Sequence, residues 1–158
     1  MIIIRKIKNQ EFQEYKNYFI EDYGNEIEKN YGHSSTVSQA IAQKELEESF
    51  PKDIISDTNK LMCIETIHND IKVPLGYIWY TLQPSNKTAF ICDFYIFMEH
   101  RSKGYGKATI EVLEKMLVEN DIEQIKLRVA YYNERALNLY KEIGFNITGF
   151  NMSKKIVK

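Results

Sequence analysis

The run Thr88–Met98 is almost unbroken in apolar side chains, and three residues on it meets Arg101-Ser-Lys-Gly-Tyr-Gly106. An amphipathic pattern, Lys107–Asn120, follows directly. A strand that ends in a glycine turn and opens a helix commits the chain to layers of helix against sheet. It also builds an anion site. Glycine lets the backbone approach closely, the first helical amides lack intrahelical partners, and the helix dipole favours negative charge. Arg101, Lys103 and Lys107 add positive charge at the same place.

Spacing tests which phosphate-bearing ligand such a loop takes. A P-loop needs glycine five residues before the Gly-Lys pair and Ser or Thr after it. Here those positions are Arg101 and Ala108, so that reading fails. The dinucleotide fingerprint needs a third glycine where Thr109 stands, and a place in the first βα unit rather than two-thirds along the chain. A plain strand-to-helix turn that uses glycine for geometry remains an alternative on these residues alone.

At 158 residues, 44% hydrophobic and 27% charged, the chain has the make-up of one globular domain, residues 1–158. The opening Met1-Ile-Ile-Ile run is too short for a signal peptide and no later run reaches membrane length, so a cytoplasmic protein without a membrane partner is expected. Cys63 and Cys92 sit in apolar strand contexts and read as reduced core thiols. Three scattered histidines give no zinc spacing, so a metal-free site is expected. No basic stripe with interleaved aromatics points to nucleic acid. The net charge of −1 hides an asymmetry: Asn9–Asn59 holds eleven acidic against four basic residues, Arg101–Lys158 seven against eleven. The basic half carries the anion loop. The acidic half suits a cationic second ligand, unless its carboxylates merely solvate a helix face.

The spacing predicts a strand at Ile2–Ile7 and a helix from Asn9 to about Asp22, then a loop bracketed by Gly24 and Gly32. A second helix is expected at Thr36–Ser49, with Val37, Ala40, Ile41 and Leu46 inward, and an irregular connection from Phe50 to Lys60. Leu61–Ile67 and Val73–Leu82 flank a His68-Asn69-Asp70 turn and read as a hairpin. After Thr88–Met98 and its helix come a strand at Ile125–Ala130, a helix at Asn133–Ile143 stopped by Gly144, and a closing strand-like segment, Phe145–Val157.

The later helix reads Asn133-Glu-Arg-Ala136-Leu-Asn-Leu139-Tyr140-Lys-Glu-Ile-Gly144-Phe145. With Arg101-x-x-Gly104-x-Gly106, about thirty residues before it and separated by a strand, it resembles the GCN5-related N-acetyltransferase (GNAT) superfamily. The resemblance implies a mixed α/β (α+β) fold: a central, mostly antiparallel twisted sheet, splayed at the cofactor site and flanked by helices. It implies acetyl-CoA as co-substrate, its pyrophosphate cradled by Arg101, Ser102, Lys103, Gly104, Tyr105, Gly106 and Lys107. The pantetheine would pair like an added strand with the backbone of Phe94, Tyr95, Ile96 and Phe97, where the resemblance implies a bulge that splays this strand from Ile125–Ala130. The Ile96 N–H would steady the developing oxyanion. Asn133 caps its helix, and in the family the matching position also contacts the cofactor.

Tyr140, on the inward helical face, is the candidate general acid that protonates the departing sulfur; its other reading is a core tyrosine. The base is open. Some relatives that acetylate protein N-termini carry a carboxylate five residues before the Asn helix, where this chain has Arg128. Asp93, inside the apolar strand, is a candidate to deprotonate or orient the amine, and Glu65 is another; a satisfied buried carboxylate accounts for Asp93 equally. The expected function is acetyl transfer to a primary amine, a small cationic one favoured, by direct attack in a ternary complex. Tyr15, Tyr23, Tyr31, Trp79 and Tyr95 are candidate acceptor-pocket residues. A non-catalytic acyl-CoA-binding module and a protein lysine or N-terminal acetyltransferase are the alternatives. The expected partners are acetyl-CoA and an amine, in a monomer or homodimer.

Overall fold

The computed structural model describes residues 1–51 and 56–157. Its elements follow one another as β1 (Ile2–Lys6), α1 (Asn9–Tyr31), α2 (Ser35–Ser49), β2 (Asn59–His68), β3 (Ile71–Gln83), β4 (Thr88–Ile96), α3 (Tyr105–Val118), β5 (Gln124–Leu127) and α4 (Glu134–Ile143). The strands form one sheet in the order β1-β2-β3-β4-β5. All neighbours are antiparallel except β4 and β5, which the α3 crossover makes parallel. This is the mixed, mostly antiparallel sheet expected from the sequence.

Both faces of the sheet are covered. Ile64, Leu75, Ile78, Tyr80, Ala89 and Ile91 bury one face against Ile110, Leu113 and Leu117 of α3. Leu61, Cys63, Tyr77 and Trp79 bury the other against Tyr15 and Phe19 of α1 and Leu46 of α2. The β2–β3 turn has Asn69 and Asp70 at φ 50° and 63°, the two left-handed residues that a tight hairpin requires.

Helix α1 departs most from the sequence reading. It does not end near Asp22 but runs to Tyr31 and stops at Gly32, whose φ of 69° closes the last turn with an N–H donated to Glu28 O. Gly24 lies inside it, because a Cβ there would stand 3.2 Å from Gln39 Cγ; the glycine lets α2 cross close by. Burial of Phe19 and Ile27 on either side outweighs the intrinsic helix penalty of about 1 kcal/mol for glycine. The inward face of α2 is Ser38, Ala42 and Leu46; Val37 and Ala40 are exposed, against expectation, because the α1 contact is set by that close crossing. Arg5 anchors the start of α1 to the sheet, with Nε 2.9 Å from Glu65 Oε1 and Nη2 2.8 Å from Glu11 Oε2.

Two further expectations fail. β5 ends at Leu127 rather than Ala130, since its pairing with β4 stops at Ile91–Leu127. The segment after Gly144 forms no strand, and Phe150, Met152, Ile156 and Val157 stand exposed. β5 offers only four ladder residues, and Asn146, Gly149, Asn151 and Ser153 have low strand propensity. Part of the expected Phe50–Lys60 connection lies outside the described residues.

Candidate active site

From Ser102 to Lys107 no backbone N–H meets a backbone acceptor among the described residues; the first that does is Ala108, 3.1 Å from Gly104 O. Ser102 and Gly104 take left-handed φ values of 62° and 84°, which turn successive amides to one side before α3 begins. Consecutive free amides at a helix N-terminus make a backbone-built anion cradle. Lys103 and Lys107 are exposed beside it. Arg101 is partly spent elsewhere: its Nε donates to Ile96 O at 2.7 Å and its guanidinium lies 4.9 Å over the Tyr95 ring. It fastens the loop to the end of β4. Gly106 interlocks the two sequence motifs, since a Cβ there would lie 3.2 Å from Leu139 Cδ2 of α4.

A bulge in β4 creates the second half of the site. Trp79 pairs with Asp93 and Tyr80 with Ile91, leaving Cys92 as the extra residue. Strict alternation would carry Asp93 to the same face as Ala89 and Ile91, into the α3 core. The bulge changes the phase, so Asp93 shares Trp79's face and meets α1. There Tyr15 donates to Asp93 Oδ2 at 2.9 Å and Tyr18 to Oδ1 at 3.1 Å. Burial pushes the Asp93 carboxyl up to about 7; the tyrosine donors pull against that shift, and the charges of Asp22 and Glu26 add to it. Cys92, read as a core thiol, is exposed because it occupies the bulge; Cys63 is buried as expected.

Beyond the bulge the main chain of β4 is open on the side away from β3. The Phe97 N–H bonds Leu75 O at 2.8 Å, so by antiparallel alternation the N–H and C=O of Ile96 point the other way. Its carbonyl accepts from Arg101, in keeping with that direction. The β4–β5 ladder has already ended, so the strands part there.

A cavity of about 320 Å³ fills this wedge. Asp93 and Phe94 of β4 meet Asp22, Glu26 and Lys29 of α1, Arg128 after β5, and Asn133 and Tyr140 of α4 around it. The Asn133 side chain accepts from the Ala136 N–H at 3.1 Å, which starts α4 and aims Tyr140 inward. No hydrogen bond engages the Tyr140 hydroxyl among the described residues; burial, then the charge of Asp93, pushes its pKa well up. Burial also raises Asp22 and Glu26, against the pull of Arg101 and Arg128 respectively.

The expected residues therefore separate into groups. Asp93 and Tyr140 share one cavity, with Asn133 and Phe94 on its wall. Tyr95 and Phe97 share the α1 face with Asp93 but belong to the aromatic cluster under α1 rather than to the cavity wall, and Ile96 packs toward the α3 core. Glu65 is remote from the cavity and tied to Arg5. Of the aromatics expected to line an acceptor pocket, Tyr15 and Trp79 are core, Trp79 donating to Asn59 Oδ1 at 2.6 Å. Tyr31 lies exposed at the end of α1; Tyr132 and Tyr140 line the cavity instead. Sequence reasoning missed Asp22, Glu26 and Lys29. Their spacing of four and three places them on one helix face, a signal hidden once α1 was broken at Gly24.

The sequence model of the Acetyltransferase (GNAT) family matches residues 12–145. The chain is 26% identical over 157 residues to the uncharacterized N-acetyltransferase YycN of Bacillus subtilis (strain 168), covering 98% of this chain and 99% of that protein. The crystal structure of YycN superposes with a TM-score of 0.88 over the whole of both chains. The PaiA N-acetyltransferase from Thermoplasma acidophilum, solved in complex with coenzyme A, shares the fold at a TM-score of 0.64 and 16% identity, covering 96% of this chain and 93% of that one.

Proposed function

The chain belongs to the acetyltransferase (GNAT) family, and from that premise we propose that it transfers an acetyl group from acetyl-CoA directly to a primary amine, a small cationic one. The observation that carries this reading is the meeting of Asp93 and Tyr140 in one cavity, at the point where β4 leaves β5.

The free amides of Ser102–Lys107 fit a pyrophosphate: they present donors without partners, and Lys103 and Lys107 supply charge at its edge. The pantetheine arm follows the open backbone edge of Phe94–Phe97, bringing the thioester carbonyl toward the Ile96 N–H. The acceptor enters from the α1 side. Its nitrogen forms a bond to the carbonyl carbon as the carbon–sulfur bond breaks. Asp93 takes the proton that the nitrogen sheds, and Tyr140 gives one to the leaving thiolate. A carboxyl poised near 7 is matched to a base working at neutral pH.

The two proton steps are coupled. Ionised Asp93 helps hold the Tyr140 pKa up, so a proton arriving on Asp93 removes that charge and makes the phenol a better acid when sulfur departs.

Free-thiol release from acetyl-CoA, followed across a panel of amines, tests the reading. Amine-dependent release that falls by roughly a hundredfold in Tyr140→Phe, with acetyl-CoA affinity retained, is the expected result. Acetyl-CoA binding without release for any amine would assign a binding module instead.

A further inference from the structure

The cavity walls carry both signs of charge, and both cations, Lys29 and Arg128, lie at or beyond Glu26, away from Asp93. Asp93 lies at the inner end beside Tyr140, with Asp22 one helical turn beyond Tyr18, which donates to Asp93. Glu26 and Lys29 lie further along α1, toward the outer end, and Arg128, which follows β5, comes 3.6 Å from Glu26 there. The rise from Asp22 to Glu26 is about 6 Å, and to Lys29 about 10 Å.

The two groups also differ in what is already engaged. Both Asp93 oxygens accept from tyrosines. Arg128 makes a single contact, its Nη1 3.6 Å from Glu26 Oε1, longer than a charge-assisted hydrogen bond, and no other partner engages its guanidinium among the described residues. Lys29 has no ion pair among the described residues and rests 4.8 Å over the Tyr132 ring. Tyr140 adds an unengaged hydroxyl facing the same space. An acceptor bearing only positive charge would leave the Arg128 fork and the Lys29 ammonium unmatched and repelled. A ligand with a cationic and an anionic end meets every one of these groups.

We propose that Arg128, assisted by Lys29, reads a carboxylate on the acceptor, so that the preferred substrate is an ω-amino acid or a basic amino acid acetylated on its chain-terminal amine. The amine occupies the inner end between Asp22 and Asp93. A short methylene chain spans the cavity, and the carboxylate takes the Arg128 fork from Glu26. An α-amine is excluded as the reacting group, because its own carboxylate lies too near to reach Arg128. This inference rests on the cavity being the acceptor site of the proposed acetyl transfer.

Four acceptors of similar length test it: ε-aminocaproate, its amide, n-hexylamine and hexamethylenediamine. In the unmodified protein kcat/KM should favour ε-aminocaproate over its amide by about tenfold or more, the worth of one charge-assisted contact. In Arg128→Gln that ratio should fall toward one, each variant serving as its own reference for folding. Calorimetric binding of acid and amide to the protein saturated with CoA should show the same preference and the same loss. It also decides the matter should none of the four be acetylated, a result that would count against the proposed transfer rather than against carboxylate recognition. Equal use and binding of acid and amide, a preference for the diamine, or an acid preference that survives Arg128→Gln would overturn the assignment.

Discussion

The anion loop proposed for the donor and the cavity proposed for the acceptor are built from different parts of the chain. In the proposed donor site the binding groups are main-chain amides of Ser102–Lys107, and the left-handed turns at Ser102 and Gly104 supply their geometry. In the proposed acceptor site they are side chains gathered from α1, the β4 bulge and α4. A backbone site tolerates loss of side chains and is damaged by gaining them. A side-chain site has the opposite sensitivity.

The sharpest contrast is expected at Asp93. Replacing it with Asn keeps the shape and removes the proposed base, so kcat/KM should fall roughly a hundredfold or more while acetyl-CoA binding is kept. A comparable loss of acetyl-CoA affinity would merge the two sides and break the comparison.

On the donor side Gly106→Val is the corresponding lesion. Its branched side chain drives into Leu139, where even a Cβ has only 3.2 Å, and spreads α3 from α4. Overpacking of this kind costs about 1–3 kcal/mol, so acetyl-CoA should bind about tenfold or more weaker in a direct titration.

Stability gives a third test. Asp93 holds its proton up to about 7 when folded and to about 4 when unfolded. The folded state therefore binds the proton more tightly between these values. Stability from this group is present below pH 4, falls as pH rises through that window and stays lost above it. Asp93→Asn should be free of that loss. Its advantage over the unmodified protein in denaturant titrations should grow from pH 4 to 7, to on the order of 4 kcal/mol. A difference that does not change with pH would contradict the buried, proton-binding carboxyl.

The smallest effect is expected from Lys103→Ala, an exposed charge beside a backbone cradle. Acetyl-CoA affinity should drop only a few-fold and the drop should shrink with added salt. A large, salt-independent loss would mean that side chains, not amides, carry the donor site.

The same contrast explains how far the sequence could be read. The proposed donor site depends on local spacing, Arg101-x-x-Gly104-x-Gly106 and Asn133 to Phe145, so its residues are visible without a fold. Asp93 was visible as a charge in an apolar strand, and the resemblance implied a bulge near Phe94–Phe97, but not its place at Cys92, which turns Asp93 toward α1. Its partners Tyr15 and Tyr18 lie more than seventy positions away, and nothing local links them to it. Gly24 misled because its role depends on α2: the helix accepts a poor former there so that Gln39 can come close. The segment after Gly144 carries strand-like residues, but residue type alone does not supply an edge to pair with.

The pH dependence of kcat/KM, measured with one amine for the unmodified protein and for Asp93→Asn, tests the central assignment most directly. With Asp93 as the proton acceptor, activity should rise with pH through a midpoint near 7, and that limb should vanish in Asp93→Asn. The same midpoint and amplitude in both proteins would contradict it.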